Sequence, residues 1–145
     1  LARRSLDPES ALSNGRPTVF EFYADWCEAC RTMAPAMISL EEANSNKVNI
    51  VLLNVDNQRW NDLIQTFEVN GIPQLNFFDY DGTLKAKSLG LRESGELQEM
   101  IDSLINNEPI PSFSGVGLLS DLASERLIPS KDQSVKLKDS PLAHT

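Results

Sequence analysis

The chain has 145 residues, the usual size of one domain, and a chain of this length buries roughly two-thirds of the surface it exposes when unfolded. A net charge of −8 and a sequence pI near 4.6, with no basic stretch interleaved with aromatics, exclude nucleic acid as a partner. No apolar run approaches the ~18 residues of a membrane-spanning helix, and "LARRSL" opens the chain without an initiator Met or a signal-peptide core, so a soluble portion of something longer is expected.

"LDPESALSNG" predicts a short helix, with Asp7 as cap, Pro8 at the first helical position and Gly15 at the end. "PTVFEFYAD" is apolar and rich in β-formers, with one carboxylate, Glu21, in its middle; it predicts a strand. A helix follows from Cys27 or Glu28 to about Asn44, where Met33, Met37, Ile38 and Leu40 recur at near-helical spacing around a kinking Pro35. "KVNIVLLNVD" is almost continuously apolar, as a strand buried on both faces is. "NQRWNDLIQTFEV" places Trp60, Leu63 or Ile64, and Phe67 on one helical face. "GIPQLNFFDYDGTLKAKSLG" predicts two strands around a turn at Asp81 and Gly82, and "ESGELQEMIDSLINN" a closing helix with Leu97, Met100 or Ile101, and Leu104 or Ile105 in one stripe. This order implies an α/β fold, a mixed sheet with helices on both faces. Three regions result: residues 1–16 with a short helix, a domain at 17–107, and an extension at 108–145 containing Pro109, Pro111, Pro129 and Pro141 among serines and lysines. Within that extension "GLLSDLASERL" has the length for three helical turns.

The two cysteines, Cys27 and Cys30, stand three apart behind Trp26 at the strand-to-helix border. Two cysteines do not make the spread disulfide framework of a small secreted scaffold. A structural zinc site takes four Cys or His ligands, and the only histidine, His144, lies one residue from the C-terminus. The same shortage removes a Cys/His nucleophilic mechanism, which needs an imidazole beside the thiol. Thiol–disulfide chemistry and inert packing remain. A thiol with an ordinary pKa near 8.5 attacks only as thiolate, and a helix N-terminus stabilises that anion through unpaired N–H groups and the helix dipole. Cys27 is therefore the expected nucleophile. Cys30, one turn later on nearly the same face, is the expected resolving thiol.

The chain resembles the thioredoxins over roughly residues 17–106. "FYADWCEAC" is similar to their active-site stretch, "MAP" falls where their active-site helix is kinked, "NVD" follows the second buried strand, "GIP" stands at their cis-proline loop, and Gly82 and Gly90 match glycines of the closing hairpin. The resemblance implies a thioredoxin fold with a four- to five-stranded mixed sheet and an irregular C-terminal extension. More narrowly, "EFYADWCEAC", "LNVDNQRW" and "SPLAHT" are similar to membrane-anchored thioredoxin-like proteins of the thylakoid lumen and their cyanobacterial counterparts. That likeness implies a protein-disulfide reductase at the thylakoid membrane, its domain facing the lumen or periplasm. Its partners would be a membrane thiol-transport protein as electron donor and disulfide-containing targets, apocytochromes c among them. No cofactor is implied. A disulfide oxidant or isomerase stays open, as does a docking module that holds unfolded apoproteins with redox activity secondary.

Departures from the family pattern qualify the site. Glu28 and Ala29 separate the cysteines where cytosolic thioredoxins carry glycine and proline. Glu21 stands where thioredoxins commonly carry Asp; buried behind Cys30 it would take the resolving thiol's proton, whereas strict alternation would turn it to solvent with Phe20 and Phe22 inward. Leu52 replaces a lysine that many thioredoxins place near that acid. Pro73 invites a cis bond after Ile72, leaving the Ile72 backbone for an extended substrate, and Trp26, Ile72, Pro73 and Gly90 are the expected lining of the docking groove.

Overall fold

The structure, a computed structural model, describes residues 6–113 and 116–122. Helix α1, Pro8–Leu12, begins as the sequence predicts: Asp7 accepts a hydrogen bond from the Ser10 N–H, and Pro8 fills a position whose missing N–H costs nothing. Strand β1, Thr18–Tyr23, leads through Ala24–Cys27 into helix α2, Glu28–Ala43. Pro35 lies inside α2 on its exposed side, and Met33 and Met37 form the buried stripe. Strand β2, Asn49–Asn54, follows.

The stretch expected as one helix after β2 divides in two. Asn57 accepts from the Arg59 N–H and starts a 3-10 turn at Gln58–Trp60, and α3 proper runs only Asn61–Thr66. The tighter turn follows from an Asn cap competing for the local backbone, with the Arg59 guanidinium 4.5 Å from the Trp60 ring centroid. Next come β3, Gly71–Ile72; β4, Gln74–Phe78; β5, Leu84–Leu89; and α4, Ser94–Ile105. The β4–β5 hairpin turns at Asp79–Thr83, where Gly82 takes φ +84°. Helix α4 starts in a reciprocal box: the Glu93 side chain accepts from the backbone of Glu96, and the Glu96 carboxylate accepts from the Glu93 N–H.

The main sheet has the order β2-β1-β4-β5, with β1–β2 parallel and the other two pairs antiparallel. Strand β2 is therefore an edge by hydrogen bonding, yet both its faces are covered, which is why it reads as continuous apolar sequence. Alternation along β1 divides the core. Phe20 and Phe22 point to the side of α1 and α3, where Phe67 and Phe78 join them in tilted and edge-to-face contacts. Val19 points to the other side, packed with Met33 and Met37 of α2 and Leu97, Met100, Ile101 and Leu104 of α4. Helices thus cover both faces.

Of residues 117–127, whose length allows three helical turns, residues 117–121 are not helical: Ser120–Asp121 form a short strand, β6, antiparallel to β3, and Leu122 after it is helical. An open backbone edge at β3 offers hydrogen bonds that a marginal three-turn helix cannot match. Residues 123–127 of that stretch lie outside the described residues, as does His144.

Candidate active site

The turn from β1 into α2 makes Cys27 the N-cap residue of α2, with extended backbone angles. Its sulfur takes the place of the usual capping oxygen and accepts the Cys30 N–H at 3.1 Å. Cys27 and Cys30 are joined by a disulfide, their Cα atoms 5.2 Å apart, inside the range such a bond spans. Cys27 has no exposed surface and Cys30 is 5% exposed. A capping N–H and the dipole of a sixteen-residue helix both favour negative charge on the Cys27 sulfur once the bond is opened. Glu28, in the first turn and exposed, is itself favoured there by the same dipole.

The Ile72–Pro73 bond is cis. It brings the Ile72 carbonyl oxygen to 3.7 Å from the Cys27 sulfur. The Pro73 carbonyl in turn accepts the Gly90 N–H at 2.8 Å, and Gly90 holds φ +84°. Cys27, Cys30, Ile72, Pro73 and Gly90 are thereby brought to one end of the sheet. Trp26 borders Cys27 in the chain and is 37% exposed, its indole Nε1 donating to Asp56 Oδ2 at 2.9 Å. Asp56 closes the "NVD" stretch, and nothing in the sequence marks it as the partner of that indole.

Glu21 does not face solvent. It is 2% exposed and shares a strand face with Val19, on the side of β1 covered by α2 and α4. Its cross-strand neighbours are Leu52 on β2 and Leu75 on β4, so the position where a lysine was missing from the sequence is directly beside it. Alternation was correct about Phe20 and Phe22; it misled about Glu21 because the opposite face of β1 is buried too.

Two features escaped the sequence reading. Gly117 and the residues after it run against Leu89–Leu91 and Asn70–Ile72, a pairing that their own sequence, with the length for three helical turns, does not signal. Asn49 is also buried, tying β2 to the α1 region, and a lone Asn at the head of an apolar run carries no signal of that role. Among the described residues no group of three or more His, Cys, Asp or Glu could hold a metal ion, and no helix is long and apolar enough to cross a membrane.

Comparison with known proteins matches this geometry. The profile of the thioredoxin family, described as "Thioredoxin", fits residues 7–103. The chain is 40% identical over 119 residues to the thiol:disulfide interchange protein TxlA homolog of Synechocystis sp., covering 82% of this chain and 66% of that protein. It is 41% identical over 128 residues to the chloroplastic thioredoxin-like protein HCF164 of Arabidopsis thaliana, covering 88% of this chain and 49% of that one. The chain thus spans 49–66% of the length of these relatives. Among solved structures, a chain from a study of thiol resolution in yeast mitochondrial 1-Cys peroxiredoxin via glutathione/thioredoxin systems superposes with a TM-score of 0.56. It is 28% identical, and the match covers 64% of this chain and 83% of that one. With a cysteine pair at a helix start, a cis-proline against the first sulfur and a family profile over two-thirds of its length, the chain belongs to the thioredoxin family.

Proposed function

We propose that the protein is a thiol–disulfide oxidoreductase that works as a protein-disulfide reductase. The observation that carries this is the Cys27 sulfur at the N-cap of α2, accepting the Cys30 N–H while bonded to Cys30. In the forward reaction the Cys27 thiolate attacks one sulfur of a target disulfide; a mixed disulfide forms and the target's other sulfur leaves as thiolate. Cys30, losing its proton, attacks the Cys27 sulfur, re-forms the Cys27–Cys30 disulfide and expels the second target thiolate. Two electrons pass to the target, and a dithiol donor must return two to Cys27 and Cys30.

Glu21 is the proposed acceptor of the Cys30 proton, supported by its burial on the face of β1 that α2 covers. Trp26, Ile72, Pro73 and Gly90 are the proposed docking residues, supported by the Ile72 carbonyl beside the Cys27 sulfur and the Gly90–Pro73 hydrogen bond. The proposed setting is the thylakoid membrane, with the domain facing the lumen; the likeness to a chloroplast protein and to a cyanobacterial interchange protein supports the chloroplast or cyanobacterial part of that reading. A membrane thiol-transport protein is the proposed donor, and disulfide-containing lumenal proteins such as apocytochromes c are the proposed targets.

Direction is tested by equilibrating the Cys27/Cys30 pair with glutathione or dithiothreitol and by following insulin reduction with dithiothreitol as donor. A potential of about −270 mV with insulin turnover supports a reductase, whereas one of about −120 mV overturns that direction in favour of disulfide formation.

A further inference from the structure

Residues 116–122 cross the loop that carries the cis-proline. The Gly117 N–H donates to the Leu89 carbonyl at 3.0 Å, the Leu91 N–H to the Leu118 carbonyl at 2.8 Å, and the Leu122 N–H to the Asn70 carbonyl at 2.9 Å. Between these anchors Ser120 and Asp121 stand in antiparallel register with Ile72 and Gly71. Leu122 is buried in the apolar cluster that also holds Cys27, Cys30 and Ile72.

The approach is close enough to need glycine on both sides. A Cβ on Gly117 would overlap the Leu91 carbonyl, one on Gly90 would overlap the Gly117 carbonyl, and one on Gly71 would meet the Leu119 side chain. The fit is backbone to backbone at Gly90 and Gly117, and backbone to side chain at Gly71.

The occupied edge is the one beside the reactive sulfur. Ile72, whose carbonyl lies 3.7 Å from the Cys27 sulfur, is the residue paired with Ser120. A strand edge accepts one partner, so an extended peptide cannot pair with Ile72 while Ser120 does. Cys27, correspondingly, has no exposed surface.

We propose that residues 116–122 are an intramolecular strap that occupies the peptide-docking edge at Ile72 and must leave before a protein disulfide reaches Cys27. This rests on the docking role proposed above for Ile72 and Pro73. The strap is built to release: among the described residues one buried leucine and a short run of backbone hydrogen bonds hold it, while Val116 and Leu118 stay exposed. A protein whose competent state is only partly populated binds more weakly by that fraction, so the strap sets how fast targets are engaged without touching the chemistry.

Gly117→Val and Leu122→Ser in the full chain act at opposite ends of the segment, so misfolding of one leaves the other to decide. Two rates are measured on each protein: alkylation of reduced Cys27 by iodoacetamide, followed by mass spectrometry, and reduction of insulin with dithiothreitol as donor. Release of a strap closed in most molecules raises both rates about tenfold or more. Wild-type rates for both readouts in the folded variants would overturn the strap and leave the reductase reading intact. Faster alkylation with no insulin reduction by any of the proteins would uphold the cover over Cys27 and defeat the reductase reading instead.

Discussion

Asn49→Ala should weaken the fold far more than its place at the head of an edge strand suggests. Asn49 is 3% exposed, and the two N–H groups of its Nδ2 are shared among the Ala11 carbonyl, Asn14 Oδ1 and Thr18 Oγ1, each at 3.0 Å. Its Oδ1 accepts from Asn14 Nδ2 at 3.2 Å, so one amide joins β2 to α1, to the loop after it and to β1. Truncation does not orphan every partner. The Ala11 carbonyl keeps the Thr18 hydroxyl at 3.2 Å, and the exposed Asn14 turns to water. The loss is then about two buried hydrogen bonds at about 1 kcal/mol each, with about 1 kcal/mol more for the space left by the amide. A total of about 2–3 kcal/mol lowers the Tm of a chain this size by about 6–12 °C. Urea and thermal unfolding of wild type, Asn49→Ala, Asn14→Ala and the double variant measure it, and the pair should be non-additive by about 0.5–1 kcal/mol. A loss below about 0.5 kcal/mol for Asn49→Ala, or strict additivity with Asn14→Ala, would refute the argument that this amide is a structural tie.

Three further outcomes are expected. Cys30→Ser should accumulate covalent mixed disulfides with target proteins on non-reducing gels and Cys27→Ser should not; equal trapping by both would reverse or dissolve the assigned roles. Glu21→Gln should slow the second step of exchange by about tenfold or more while leaving attack by Cys27 unchanged in stopped-flow traces, and an unchanged second step would remove Glu21 from the mechanism. Asp79, in the β4–β5 turn, is held at about 2 against an ordinary 3.8, first by the Asp81 side chain, then by the Thr83 and Asp81 N–H groups and Lys85, with burial opposing. A depressed carboxyl contributes stability that is fully present above about pH 3.8 and lost as pH falls toward 2, so Asp79→Asn should flatten that part of the acid unfolding curve; an identical acid limb in the variant would show that the turn carboxylate does not matter.

Local chemistry made much of this protein legible. Asp7 with Pro8 announces a helix start, and the period of Leu97, Met100 or Ile101 and Leu104 announces the stripe of α4, because caps and helical spacing act within a few residues of chain. The cysteine pair was readable for the same reason, since C-x-x-C at a strand-to-helix border needs only a helix N-terminus to become reactive. The 3-10 turn at Gln58–Trp60 was not, as an Asn cap and a helical stripe made competing local offers.

What the tertiary structure alone decided are the pairings between segments far apart in sequence. Glu21 could have faced water until α2 and α4 covered the second side of β1, because alternation names two faces without saying which is buried. Asn49 acquired its role only when β2 came against Ala11, Asn14 and Thr18. Ser120 and Asp121 form a strand because Gly71 and Ile72 present an edge to them, and a chain segment's own propensity says nothing about an edge so far away in sequence.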